Sequence, residues 1–79
     1  MVYVKVLNNE NRIMAVGSIN MVAKAFDISA EIIESCIASE AVLYDEVTEQ
    51  NVHFNYIKAD LYDSYAIKYA QPFYRKKTA

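Results

Sequence analysis

The stretch Ser18-Ile19-Asn20-Met21-Val22-Ala23-Lys24-Ala25-Phe26-Asp27-Ile28-Ser29-Ala30-Glu31-Ile32-Ile33-Glu34-Ser35-Cys36-Ile37-Ala38 decides the fold class. Ser18 has the chemistry of an N-cap, and Ile19, Val22, Ala23 and Phe26 follow it at the spacing of one helical face. Ser29 can cap again, opening a second helix whose apolar stripe is Ile32, Ile33, Cys36 and Ile37, with Glu31 near its positive end. Two short helices joined by a tight turn make a helix-turn-helix unit.

On the N-terminal side, Val2, Val4 and Val6 alternate with Tyr3, Lys5 and Leu7 at the period of a strand. Asn8-Asn9-Glu10-Asn11 reads as a turn, because Asn tolerates left-handed backbone and hydrogen-bonds its own main chain. Arg12 to Val16 returns as a second strand, so the opening reads as a β-hairpin. On the C-terminal side, Ala41 to Tyr44 suits a brief strand, Asp45 to Asn51 a loop, and Val52 to Ile57 alternates again. Asp60 can cap a last helix with Leu61, Tyr62, Tyr65, Ala66 and Tyr69 on one broad face, which Pro72 ends. The expected fold is α+β: an N-terminal hairpin, a helix-turn-helix, one or two further strands and a C-terminal aromatic helix. It forms a single domain over 1–74 with a basic flexible tail at 75–79.

The chain has 79 residues, one domain's worth, near the size at which a single core only just holds a fold. Its lone Cys36 has no intramolecular disulfide partner, so a disulfide-stapled scaffold is excluded. Met1 leads directly into the first strand pattern and no stretch approaches twenty apolar residues, from which we expect a cytoplasmic protein without a membrane segment. Hydrophobic residues form 54% of the chain and there are seven Tyr, an excess that suits an interface. A homodimer is expected, through Tyr62, Tyr65 and Tyr69 or through the edge of the strand at Val2 to Leu7. The same rings with Phe73 and Tyr74, beside Lys68 and Arg75-Lys76-Lys77, offer a stacking platform for single-stranded nucleic acid, although helical spacing favours packing.

Charge is segregated. No Lys or Arg occurs between Ala25 and Ile57, while Asp27, Glu31, Glu34, Glu40, Asp45, Glu46 and Glu49 give that block −7, against +2 before it and +3 after it.

Residues Ile19 to Ala38 resemble the helix-turn-helix signature of phage repressors and small mobile-element DNA-binding modules. Ala23 stands at the small-residue position, Ile28 at the apolar turn position, and Ile33 and Cys36 where the second helix packs back. The resemblance implies a DNA-binding shape. Two departures change its meaning: Asp27 stands where the family has Gly, and the outward face of the second helix carries Ser29, Ala30, Glu31, Glu34 and Ser35, with no cation. Groove readers favour Arg, Lys, Asn and Gln at such positions, since each neutralised phosphate releases counterions. A negative surface repels DNA and attracts a basic groove, which makes the chain similar in size and charge pattern to small acidic phage inhibitors of nucleic-acid-binding proteins.

Catalytic constellations are weak. His53 is the only His and lies in a strand pattern with no Ser, Cys or Asp in register. Gly17 is the only Gly, so a phosphate-cradling loop is excluded, and Glu31 with Glu34 lacks a His companion for a metal site. We expect no enzyme, no cofactor and no metal. The expected function is a protein-binding modulator: a phage-type inhibitor whose acidic face (Asp27, Glu31, Glu34, Glu40, Asp45, Glu46, Glu49) occupies the nucleic-acid-binding surface of a basic host protein, a DNA mimic. The alternative is a helix-turn-helix DNA binder or accessory domain using Arg12, Lys24 and the basic tail for phosphates.

Overall fold

A computed structural model of the chain describes residues 1–69. The expected helix stop at Pro72, the aromatic pair Phe73 and Tyr74, and the tail at 75–79 lie outside the described residues, as does the side chain of Tyr69.

The fold is α+β. Strands β1 (Tyr3–Asn8) and β2 (Ile13–Ser18) are followed by helices α1 (Ile19–Phe26) and α2 (Ala30–Ser39). Strands β3 (Leu43–Asp45) and β4 (Gln50–Ile57) come next, then a 3-10 turn (Ala59–Leu61) and helix α3 (Tyr62–Tyr69). The strands form one antiparallel sheet in the order β2-β1-β4-β3. No helix among the described residues is long and apolar enough to cross a membrane.

Asn8 organises the connection between β1 and β2. Its Oδ1 accepts hydrogen bonds from the backbone N–H of Glu10 (2.9 Å) and of Arg12 (3.0 Å), and Asn11 takes the left-handed conformation at φ 61°. Beyond the turn Leu7 pairs with Ile13 but Val6 with Ala15, so Met14 is an extra residue that bulges β2.

Both faces of the sheet are covered. Helices α1 and α2 close over one, where Val4, Val6, Val52 and Phe54 meet Ile19, Val22, Ala23 and Ile33 in the main core. Phe26 at the end of α1 sets its ring edge-on to Phe54, with centroids 5.5 Å apart. On the opposite face Tyr3 and Lys5, with Val16 and Ile57 paired beside them, meet α3. There Tyr62 stacks on Tyr3 at a centroid distance of 3.9 Å, and the Lys5 ammonium lies 5.4 Å from the centre of the Tyr65 ring. The alternation of β1 therefore serves two apolar layers at once.

The helices begin and end by backbone chemistry. Ser18 Oγ accepts from Met21 N–H and Ser29 Oγ from Ile32 N–H, each satisfying an orphan donor of a first turn. Each helix stops on a left-handed residue, Asp27 (φ 58°) and Glu40 (φ 56°), followed by a residue whose N–H returns to a carbonyl of the last turn: Ile28 to Ala23, Ala41 to Cys36.

Four expectations are corrected. Strand β1 is interior, with β2 and β4 hydrogen-bonded to its two sides, so its edge is not free to pair with a second copy. Ile32 leaves the apolar stripe of α2 and stands 44% exposed, because the helix buries Ile33 instead. Asp60 caps nothing: it sits inside the 3-10 turn, which Lys58 precedes without a side-chain cap bond, and Leu61 is in that turn rather than on the face of α3. Strand β3 starts two residues later than expected because Glu40 and Ala41 are used in ending α2.

Candidate functional site

The acidic residues come from three places. Glu31 and Glu34 project from α2, three positions apart and therefore neighbours on its surface, and both are exposed. Glu40 is the left-handed cap at the far end of that helix, and Glu46 and Glu49 belong to the turn between β3 and β4. Asp27 closes α1; its neighbours Phe26 and Ile28 line a cavity of about 210 Å³ together with Tyr44, Asp45 and Glu46, which sets the α1–α2 connection beside the β3–β4 turn. Asp27, Glu31, Glu34, Glu40, Glu46 and Glu49 are all exposed. They occupy the part of the fold built from α2, β3 and the turns that bound them. Lys5, Lys24 and Lys68 belong to β1, α1 and α3, Arg12 to the turn between β1 and β2, and Lys58 to the step between β4 and the 3-10 turn.

Asp45 does not belong to that surface. It is 2% exposed, and its carboxylate accepts hydrogen bonds from Val47 N–H and Thr48 Oγ1. A buried carboxylate needs such donors, and here it pins the turn into β4, where Glu49 takes φ 55°. The signal was present in the sequence: Asp45 followed by a Thr three residues on is the pattern of a side-chain-capped turn.

Tyr62 and Tyr65 are both half-buried: Tyr62 stacks on Tyr3, and the Lys5 ammonium lies near the Tyr65 ring. Tyr69's side chain is outside the described residues.

Sequence reasoning missed a second surface. Strand β4 runs from Gln50 to Ile57, but β3 pairs with it only as far as Leu43–Val52. Past that point the chain at Glu40 to Val42 departs from β4 and leaves a cavity of about 310 Å³, lined by Cys36, Ile37, Glu40, Ala41, Val42, His53, Phe54 and Asn55. His53 is half-buried at its wall. Among the described residues no three His, Cys, Asp or Glu side chains come together as metal ligands. No sequence motif marks this cavity, since it arises from the unequal lengths of two paired strands.

A scan against protein-family models and searches of curated proteins and of solved structures find no match to this chain.

Proposed function

We propose that the chain is a non-enzymatic, protein-binding modulator that uses its acidic surface to occupy the basic, nucleic-acid-binding surface of another protein. The observation that carries this reading is the placement of Asp27, Glu31, Glu34, Glu40, Glu46 and Glu49, all exposed, along α2 and the turns beside it, in a block of sequence without a Lys or Arg. Carboxylates spread along a convex helix and its flanking turns offer a basic groove the charges it normally takes from phosphates. Left-handed backbone at Glu40 and Glu49, where Gly or Asn is the ordinary choice, adds support: acidic side chains are held there at a conformational cost.

The test uses the tagged full-length chain on nuclease-treated bacterial lysate, then the purified captured protein in competition with its own nucleic acid. We expect a basic nucleic-acid-binding protein, displacement of its nucleic acid by this chain, and loss of affinity of about tenfold or more on Glu31→Lys with Glu34→Lys. Unchanged affinity of that double variant removes the reading.

A second reading rests on the pairing of α1 and α2 through Asp27-Ile28-Ser29, a short link that leaves the outer side of α2 open. It makes the chain a DNA-binding helix-turn-helix or an accessory domain of one. It requires DNA affinity that falls steeply with salt and weakens on removing Arg75 to Lys77.

A further inference from the structure

We propose that the outer edge of β4 from His53 to Ile57, with the cavity beside it, is a strand-addition groove for an extended segment of a partner protein. The segment carries an apolar side chain for the cavity and a Lys or Arg to meet Glu40.

The backbone supplies the first argument. From His53 to Ile57, β4 is paired with β1 on one side, Leu7 through Tyr3, and with no strand on the other among the described residues. Such an edge presents unpaired N–H and C=O groups at strand spacing, the template that an added strand completes. The neighbouring chain does not fill it: Glu40 N–H donates to Cys36 and Ile37 carbonyls and Ala41 N–H to that of Cys36 (2.9 Å), which commits this segment to the end of α2.

The side chains supply the second. The 310 Å³ cavity has an apolar floor of Cys36, Ile37, Ala41 and Phe54, large enough for one aliphatic or aromatic side chain. Val42, 58% exposed, carries the apolar lining out to solvent, and Tyr56, 49% exposed, follows Phe54 on the same sheet face of β4. Glu40 is the one carboxylate residue of the lining, and among the described residues no Lys or Arg lines it. Charge complementarity therefore selects a cationic residue in the incoming segment.

The outer edge of β2 is also open among the described residues. There the Met14 bulge interrupts the strand, a device that turns an edge away from pairing. The free run of β4 has an unbroken register with β1 over the whole of that length.

This inference goes beyond the acidic-surface reading and fails separately from it, because Glu31 and Glu34 do not line the groove. The experiment selects a displayed library of random octapeptides on the full-length chain and titrates the enriched sequences into the 15N-labelled protein. We expect sequences that alternate apolar with polar residues and include Lys or Arg. Amide shift changes should be confined to Cys36–Val42 and His53–Ile57, with slowed hydrogen exchange along that edge. Ala41→Trp fills the cavity and should weaken binding about tenfold or more; Val42→Asp, at an exposed position that leaves the core intact, should weaken it severalfold. Enrichment of nothing, or shifts that fall on the outer side of α2 or on β2, overturns the proposal. Tighter peptide binding after removal of residues 70–79, whose Phe73-Tyr74-Arg75-Lys76-Lys77 has the same chemistry, overturns the assignment to another protein and gives the groove to the chain's own C-terminal segment.

Discussion

Replacing Glu40 by Gly should stabilise this protein while removing a charge from its acidic surface. Glu40 ends α2 at φ 56°, ψ 34°, where its Cβ crowds the following carbonyl. A left-handed L-residue costs about 1–2 kcal/mol, and Gly relieves it at an added unfolded-chain entropy of roughly 0.5–1 kcal/mol. The net gain is about 0.5–1 kcal/mol, which in a domain of this size raises Tm by roughly 2–8 °C. Glu40→Ala is the control, since it deletes the same carboxylate but keeps the Cβ. It should stay within about 0.5 kcal/mol of the parent. Thermal and urea unfolding followed by circular dichroism at 222 nm separates the two. If the Gly variant melts no higher than the Ala variant, backbone strain at Glu40 is not what the charge is kept against, and the conformational support for the acidic surface falls. Both substitutions delete a carboxylate and should weaken binding to a basic partner, so stability and affinity should move in opposite directions for Glu40→Gly.

Three further outcomes follow from the packing. Asp45→Ala should destabilise by about 1–3 kcal/mol in urea titrations, by stranding the Val47 N–H and the Thr48 hydroxyl, and hydrogen exchange should quicken locally at Val47. Ile33→Ala, at a fully buried position of the main core, should cost about 2–5 kcal/mol, a large share of the stability of so small a domain, visible as a lowered urea midpoint. Tyr62→Leu should cost about 0.5–1.5 kcal/mol by removing the stack on Tyr3, and near-ultraviolet circular dichroism should report the lost ring pair.

What could be read from the residues and what could not divides along a physical line. Caps and turns are local: Ser18, Ser29, Asn8 and the left-handed Asp27 act within four residues of themselves, so composition and spacing announce them. The neighbours of a strand are not local. The alternation of Val2 to Leu7 is the same whether β1 lies at an edge or in the middle, and only the arrival of β4 decides it. Asp45 and the exposed acids carry the same charge in the sequence, and it is the turn folding over Asp45 that withdraws it from solvent. Tyr62 and Tyr65 are legible as an aromatic face; that Tyr62 meets Tyr3 and Tyr65 meets Lys5 depends on which side of the sheet α3 crosses. The groove beside β4 depends on where β3 stops, a consequence of how α2 ends.

The interior position of β1 has a consequence for the order of events in synthesis. Its partner β2 follows at once, but Tyr3 pairs on its other side with Ile57, so that side stays open until nearly the whole sheet has been made. At about 5–20 residues per second the wait lasts roughly 2–10 s. During that time β1, β2, α1 and α2 can collapse on local contacts, while the long loop to β4 should be the last and slowest to close. Slowing the ribosome between Asn8 and Gln50 should therefore lengthen exposure of a Val-rich edge, and a chain truncated before β4 should be the form that aggregates.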